Sequence, residues 1–227
     1  MPDPSPEPTS VASALPCPSR SSTERASIDA APWLSEVTLK GRYATLEPLT
    51  QAHSAELAQA VSDGQLWKLW YTSVPEPPEM SAEIERRLQL QSQRLMLPFA
   101  VLDAAGVAVG MTSYMNVDAV HRRLEIGSTW YARRVQRTQL NTECKWMLLR
   151  HAFESLKCIA VEFRTSIHNR PSRSGIERLG AKQDGILRNH QRHRDGTLRD
   201  TCVYSIIECE WPAVKSRLQF YLTADVE

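Results

Sequence analysis

Leu124-Glu-Ile-Gly-Ser-Thr-Trp-Tyr131, followed by Arg133-Arg-Val-Gln-Arg-Thr-Gln-Leu-Asn141, is the stretch on which the reading of this chain turns. Its first part alternates as a strand does, with Leu124, Ile126 and Trp130 on one face and Glu125, Gly127, Thr129 and Tyr131 on the other. Its second part is a polar, basic turn that runs into an amphipathic helix expected over Thr142–Leu156. A helix start leaves its first backbone N–H groups unpaired, so this junction is a natural seat for phosphate. A second strand follows at Ile159-Ala-Val-Glu-Phe-Arg-Thr-Ser166, and Asn169-Arg-Pro-Ser172 opens another short helix that ends at Leu179-Gly180. Strand, anion-binding turn, helix, strand, polar turn and helix make a layout that holds a long phosphorylated cofactor between two strands.

Upstream, residues 1–32 are rich in Pro, Ser and Ala and lack periodicity, which predicts a disordered tail ahead of one folded domain over 33–227. Val11–Leu15 is too short for the apolar core of a signal peptide and follows the acidic Asp3 and Glu7. Val37–Leu46 reads as two short strand arms bent at Gly41, and Gln51–Ser62 as a helix ended by Asp63-Gly64. In Leu66-Trp-Lys-Leu-Trp-Tyr71, Trp67 and Trp70 either plug the base of the domain or wall an acceptor pocket. Ser81–Arg94 fits a second helix with Ile84, Leu88 and Gln91 inward and Arg86, Arg87 and Arg94 solvated. Leu97–Leu102 and Val107–Tyr114 flank an Asp103–Gly106 turn as a hairpin. Gly185–Arg188 and Arg199–Ile207 read as strands joined by a mobile basic loop with a turn at Asp195-Gly196, and Glu210–Tyr221 as a closing helix.

At 227 residues, 42% hydrophobic and 23% charged, the chain can bury a sizeable core. A formal net charge of +1 gives no overall pull towards nucleic acid or membrane, although basic residues cluster at Arg133–Arg137 and Arg188–Arg199. No aromatic-and-basic recognition motif accompanies those arginines, which argues against a nucleic-acid partner. Five cysteines without a C-x-x-C spacing argue for reduced cytosolic thiols and against a disulfide framework or zinc site. No apolar run reaches the roughly 20 residues of a membrane span. A cytoplasmic protein, monomeric or homodimeric, fits these observations.

The element order, the turn before the third helix, and Asn169-x-x-Ser172 followed by Ile176-Glu-Arg-Leu-Gly-Ala181 resemble the GNAT N-acetyltransferases, above all their RimJ/RimL branch. The resemblance covers about Val37 to Leu222. It implies an α+β fold, a mixed and mostly antiparallel splayed sheet flanked by helices, with acetyl-CoA between the fourth and fifth strands. It also implies an acetyl group moved to a primary amine, a protein N-terminus or a small molecule, by direct attack and without a metal. The family's pyrophosphate loop, Q/R-x-x-G-x-G/A, places Gln136 on its first position, but Gln139 stands for the first glycine and Asn141 for the final small residue. Those two departures motivate the rival reading, a non-catalytic acyl-CoA-binding or sensor module.

By the same resemblance, Gln136, Arg137, Thr138, Asn141 and Thr142 hold the pyrophosphate, with Asn141 or Thr142 as the helix cap and Arg133, Arg134 and Lys145 adding charge. Backbone amides within Ser128–Tyr131, in the cofactor-lining run Thr129, Trp130 and Tyr131, polarise the thioester carbonyl. Asn169 bonds the pantetheine arm. Ser172 lies near the sulfur, where its hydroxyl can donate to the departing thiolate; a plain helix cap is its other reading. An acceptor amine must lose a proton to attack, and Glu125 is the first candidate to take it, Glu162 the second, with Tyr131 an alternative proton donor. His151 reads as an ordinary helix residue, and His168, beside Asn169, as a possible cofactor contact. His190 and His193 sit on the basic loop beside the acceptor site.

Overall fold

The computed structural model describes residues 33–223, so the proposed tail over 1–32 lies outside it. Eight strands form one sheet in the order β1-β2-β3-β4-β5-β6-β8-β7. β1 (Leu39–Lys40) and β2 (Ala44–Pro48) are the two arms bent at Gly41, and β3 (Met96–Asp103) pairs with β4 (Ala108–Asp118) across the Asp103–Gly106 turn. β5 (Arg123–Tyr131) follows antiparallel to β4, and β6 (Ala160–Ser166) runs parallel to β5. β8 (Leu198–Ile207) pairs with β6 and carries β7 (Lys182–Arg192) on its outer edge.

Helix α1 (Ser54–Ser62) and helix α2 (Met80–Ser92) connect the N-terminal strands, and α2 packs on β3. Helix α3 (Gln139–Arg150) joins β5 to β6, α4 (Arg170–Leu179) follows β6, and α5 (Trp211–Thr223) packs on α3. Fully buried Leu46, Leu57, Ile84, Phe99, Met111, Leu124 and Leu148 belong to one core that spans sheet and helices. The parallel β5–β6 pair needs a crossover, and α3 supplies it.

Four expectations are corrected. Helix α3 begins at Gln139, not Thr142, because the Thr138 hydroxyl accepts the Leu140 N–H (3.3 Å) and caps it. It gives way at His151–Ser155 to a π turn, where the Tyr114 hydroxyl donates to the Leu148 carbonyl (2.7 Å) just ahead of it. The supposed basic loop is strand: β7 runs to Arg192 and takes His190 with it, leaving the turn at Asp195-Gly196. Arg87, read as solvated, is buried at 3% exposure.

Strand β5 also departs from regular alternation. Met111 pairs with Trp130 but Ser113 with Gly127, so β5 carries one extra residue at a bulge, and Ser128 sits there at φ +49°. Strand alternation flips across it. Trp130 therefore shares a face with Gly127 and Glu125, while Thr129 and Tyr131 cross to the face of Leu124 and Ile126. Gly127, just ahead of the bulge, makes room for its neighbour, since a Cβ there would stand 2.7 Å from the Glu125 carboxylate.

Candidate active site

β5 and β6 pair only over Arg123–Glu125 against Ala160–Glu162. Beyond that point the bulge turns β5 away, and the two parallel strands part. The gap is a wedge whose apex is the Glu125–Glu162 pair and whose sides are the free backbone edges of Gly127–Tyr131 and Phe163–Ser166.

Glu125 is 5% exposed at that apex. The Asn116 amide donates to its Oε2 at 2.7 Å, and Arg164 Nε lies 3.5 Å from the same oxygen. Burial pushes its pKa above the usual carboxylate value; Arg164 and Asn116 pull it back, and the Glu162 charge adds to the rise. Glu162 is the opposite case. Burial raises it too, but donors from Arg123 (2.6 Å) and Arg164 (2.9 Å) outweigh burial and hold it low. Of the two carboxylates Glu125 is the stronger base, and Glu162 is engaged in ion pairs.

The bulge is held from both faces. On the α2 side, Arg87 donates from both terminal nitrogens to the Ser128 carbonyl (3.2 Å each) and from Nη1 to the Ser113 hydroxyl (3.2 Å). Glu83, at 2.7 Å, is its ion-pair partner. With that carbonyl fixed, the Thr129 N–H across the same trans peptide points away from α2. On the α3 side, Thr129 Oγ1 shares a hydrogen bond with Thr112 Oγ1 (2.7 Å) and accepts one from Lys145 Nζ (3.0 Å). Lys145 is thus a buried lysine under the bulge, not a phosphate-facing charge, and burial lowers its pKa to about 8. The side chains of Trp130 and Tyr131 are buried in the core, so this run offers the wedge its backbone.

At the helix start, Gln136, Arg137 and Thr138 are exposed, and the Gln136 amide donates to the Tyr131 carbonyl (2.9 Å). The left-handed backbone falls on Arg137, at φ +61°. Gln139 and Asn141, which replace the family's glycines, both lie in the right-handed first turn of α3, a conformation open to any residue. Gln139 turns its side chain onto the Tyr221 carbonyl of α5 (2.9 Å). Asn141 and Thr142 are helical, not capping; Thr142 is buried, and Asn141 Oδ1 is buried without a partner. Arg134 pairs with Asp103 (3.0 Å). An open wedge and a helix start with free N–H groups fit a thioester arm and a pyrophosphate.

Asn169 caps α4 by accepting the Ser172 N–H (3.2 Å), and Gly180 ends that helix at φ +106°. Ser172 is half-buried in the first turn of α4. Of the two tryptophans, Trp67 packs on the core, while Trp70 is 47% exposed and lies against His168 and His193, each at 5.0 Å between ring centres. Sequence reasoning missed Arg87 and Glu143. The Glu143 carboxylate accepts the backbone N–H groups of Arg42 (2.8 Å), Tyr43 (2.6 Å) and Ala44 (2.8 Å), so it ties the start of α3 to the bend between β1 and β2. The one signal available for it was Gly41, whose missing Cβ leaves the carboxylate its place: a Cβ there would meet Glu143 Cδ at 2.3 Å.

An open sheet of this kind, with a crossover helix aimed at the gap, is that of a GNAT-type acyltransferase. The chain belongs to that family: the acetyltransferase (GNAT) domain profile matches residues 44–182. It is 32% identical over 110 residues to YdaF of Bacillus subtilis (strain 168), a protein named provisionally as a ribosomal N-acetyltransferase; the match spans 48% of this chain and 59% of YdaF. Among solved structures, a GCN5-related N-acetyltransferase from Brucella melitensis superposes with a TM-score of 0.74 at 32% identity, covering 85% of this chain and 88% of that one. RimJ of Mycobacterium smegmatis, solved with CoA-disulfide, shares the fold at a TM-score of 0.69 and 20% identity, over 82% of this chain and 93% of its own.

Proposed function

We propose that the chain moves an acetyl group from acetyl-CoA to a primary amine by direct attack. The observation that carries this reading is the parting of β5 and β6 immediately beyond a buried carboxylate of raised basicity. Acetyl-CoA supplies the activated acyl group when bound. Gln136, Arg137 and Thr138, with the first N–H groups of α3, hold its pyrophosphate, and Asn169 faces its pantetheine arm. Glu125 takes the proton of the acceptor ammonium, directly or through a water. The Thr129 N–H, oriented by Arg87, polarises the thioester carbonyl. Ser172 donates to the leaving thiolate. The argument for a non-catalytic module depended on missing glycines, and it loses its footing once Gln139 and Asn141 are helical.

The acceptor is a protein N-terminus or a small amine, and the site works in the cytoplasm. Four buried or exposed free thiols among the described residues, and the absence there of any helix long and apolar enough to cross a membrane, support that location. Release of free CoA measured over a panel of peptide and small-molecule amines tests the reading. Glu125→Gln is expected to lower kcat by about 10²–10⁴-fold, with acetyl-CoA binding retained. Binding of acetyl-CoA with no turnover of any amine would sink it.

A further inference from the structure

Resting on that reading, we infer that the acceptor carries a carboxylate as well as its amine, and that Arg199 on β8 receives it. Strand register sets the stage. Glu125 stands opposite Glu162, and along β6 and β8 the same face continues through Arg164, Ser166 with its partner Thr201, and Arg199. The charges on this face do not cancel. Glu162 is matched by Arg123 and Arg164, and Glu125 has Arg164 beside it. Arg199 forms no ion pair among the described residues, and its Nε is buried without a hydrogen-bond partner. The neighbouring aspartates are spent: Asp200 accepts the Asn189 N–H (2.8 Å) and Asp195 the Thr197 N–H (3.0 Å) and hydroxyl (2.6 Å).

A second observation points the same way. His193 is 8% exposed, and its Nε2 is buried with no partner. Its backbone N–H donates to the Thr197 carbonyl (2.9 Å) across the β7–β8 turn, two residues from Arg199, which itself pairs with Gln191 of β7, so register sets the two side by side. Trp70 packs against His193 and against His168, each at 5.0 Å between ring centres. A cation and an imidazole, both with unmet hydrogen-bonding groups under an aromatic wall, are what a carboxylate needs. Glu125 receives the ammonium end of the same acceptor. The amine and the carboxylate therefore belong to one molecule, an ω-amino acid or a peptide whose acidic side chain follows its free N-terminus.

Two arms test this, and they fail separately. In the binding arm, N-acetyl-β-alanine and its longer ω-amino-acid homologues are titrated calorimetrically against the full chain, each beside its carboxamide. The acid is expected to bind about 10- to 100-fold more tightly. Arg199→Gln removes the difference and Arg199→Lys restores part of it. No difference in the wild type, or an equal difference in Arg199→Gln, overturns the inference. In the turnover arm the free ω-amino acids are compared with their amides, and a peptide beginning Ala-Asp with one beginning Ala-Asn; the better pair identifies the source of the carboxylate. Carboxylate-selective binding without turnover would overturn the proposed acyl transfer and leave this site standing. Turnover without carboxylate preference would do the reverse.

Discussion

Replacing Lys145 by Met is expected to make the protein more stable at neutral pH. The ammonium is buried, its contact is a neutral hydroxyl, Thr129 Oγ1 at 3.0 Å, and no carboxylate pairs with it among the described residues. Its pKa falls from 10.5 to about 8 in the folded state. Between those values folding expels a proton, and below about pH 8 the folded protein must carry the charge in a dry site. That cost is present in full at pH 7 and fades as pH rises from about 8 towards 10.5. At about 1.36 kcal/mol per pH unit, the cost at pH 7 is roughly 3 kcal/mol, and at pH 10 below about 1 kcal/mol. Methionine fills a similar volume and suits a helix. Losing the bond to Thr129 gives back about 1 kcal/mol, although Thr112 still pairs with that hydroxyl. The net gain is about 2 kcal/mol at pH 7, or roughly 4–8 °C in Tm for a domain of this size. Melting curves by circular dichroism at pH 7 and pH 10 provide the check. A Met variant that melts at or below the wild type at pH 7, or keeps an undiminished advantage at pH 10, refutes the reasoning.

Other expectations follow from the bulge and the helix start. Arg87→Lys loses the paired contact to the Ser128 carbonyl and should cut kcat about tenfold or more while leaving the dissociation constant for acetyl-CoA within about twofold, as read by stopped-flow and calorimetry. An unchanged kcat would detach Arg87 from the oxyanion site. Gly41→Ala drives a methyl into the Glu143 carboxylate and should lower stability by at least about 2 kcal/mol in urea titration, whereas Gly106→Ala, with nothing near its Cβ, pays only for its left-handed backbone, about 1 kcal/mol. Equal losses would deny the clasp. Gln139→Gly, the residue the family motif calls for, should cost about 1 kcal/mol because the position is helical. A stabilised Gly variant would show that the position needs glycine's backbone freedom.

Much of this architecture could be read from pattern. The period-two run at Leu124–Tyr131, the Asp-Ala-Ala-Gly turn, Asn169 before a helix and Gly180 after it are local signals, and local physics fixed them. The splayed pair could be anticipated from the motif order. What escaped were features set by partners distant in sequence. Arg87 looked solvated because a helical period cannot reveal that a bulge carbonyl 41 residues away will receive its guanidinium. Glu143 falls early in the expected helix, while its partners lie about 100 residues upstream. The helix start was misplaced by three residues, Thr142 for Gln139, because Thr138 and Thr142 are both competent caps, and the helix that begins after Thr138 buries Leu140. Strand alternation past Ser128 failed because the bulge there inserts one residue and so reverses every side chain beyond it.

The contact between Glu143 and the bend at Arg42–Ala44 bears on where this domain can be cut. The match to the family profile begins at residue 44, a tempting start for an expression clone. Such a truncation would discard Arg42 and Tyr43, and with them two of the three amides that donate to the Glu143 carboxylate near the start of α3. Trp33, whose indole holds the Leu156 carbonyl at 2.9 Å, would go as well. A clone starting at 44 should therefore yield aggregated or acetyl-CoA-blind protein where one starting at 33 yields a binder, and equal behaviour of the two in a pull-down on CoA resin would show that the N-terminal arm is dispensable.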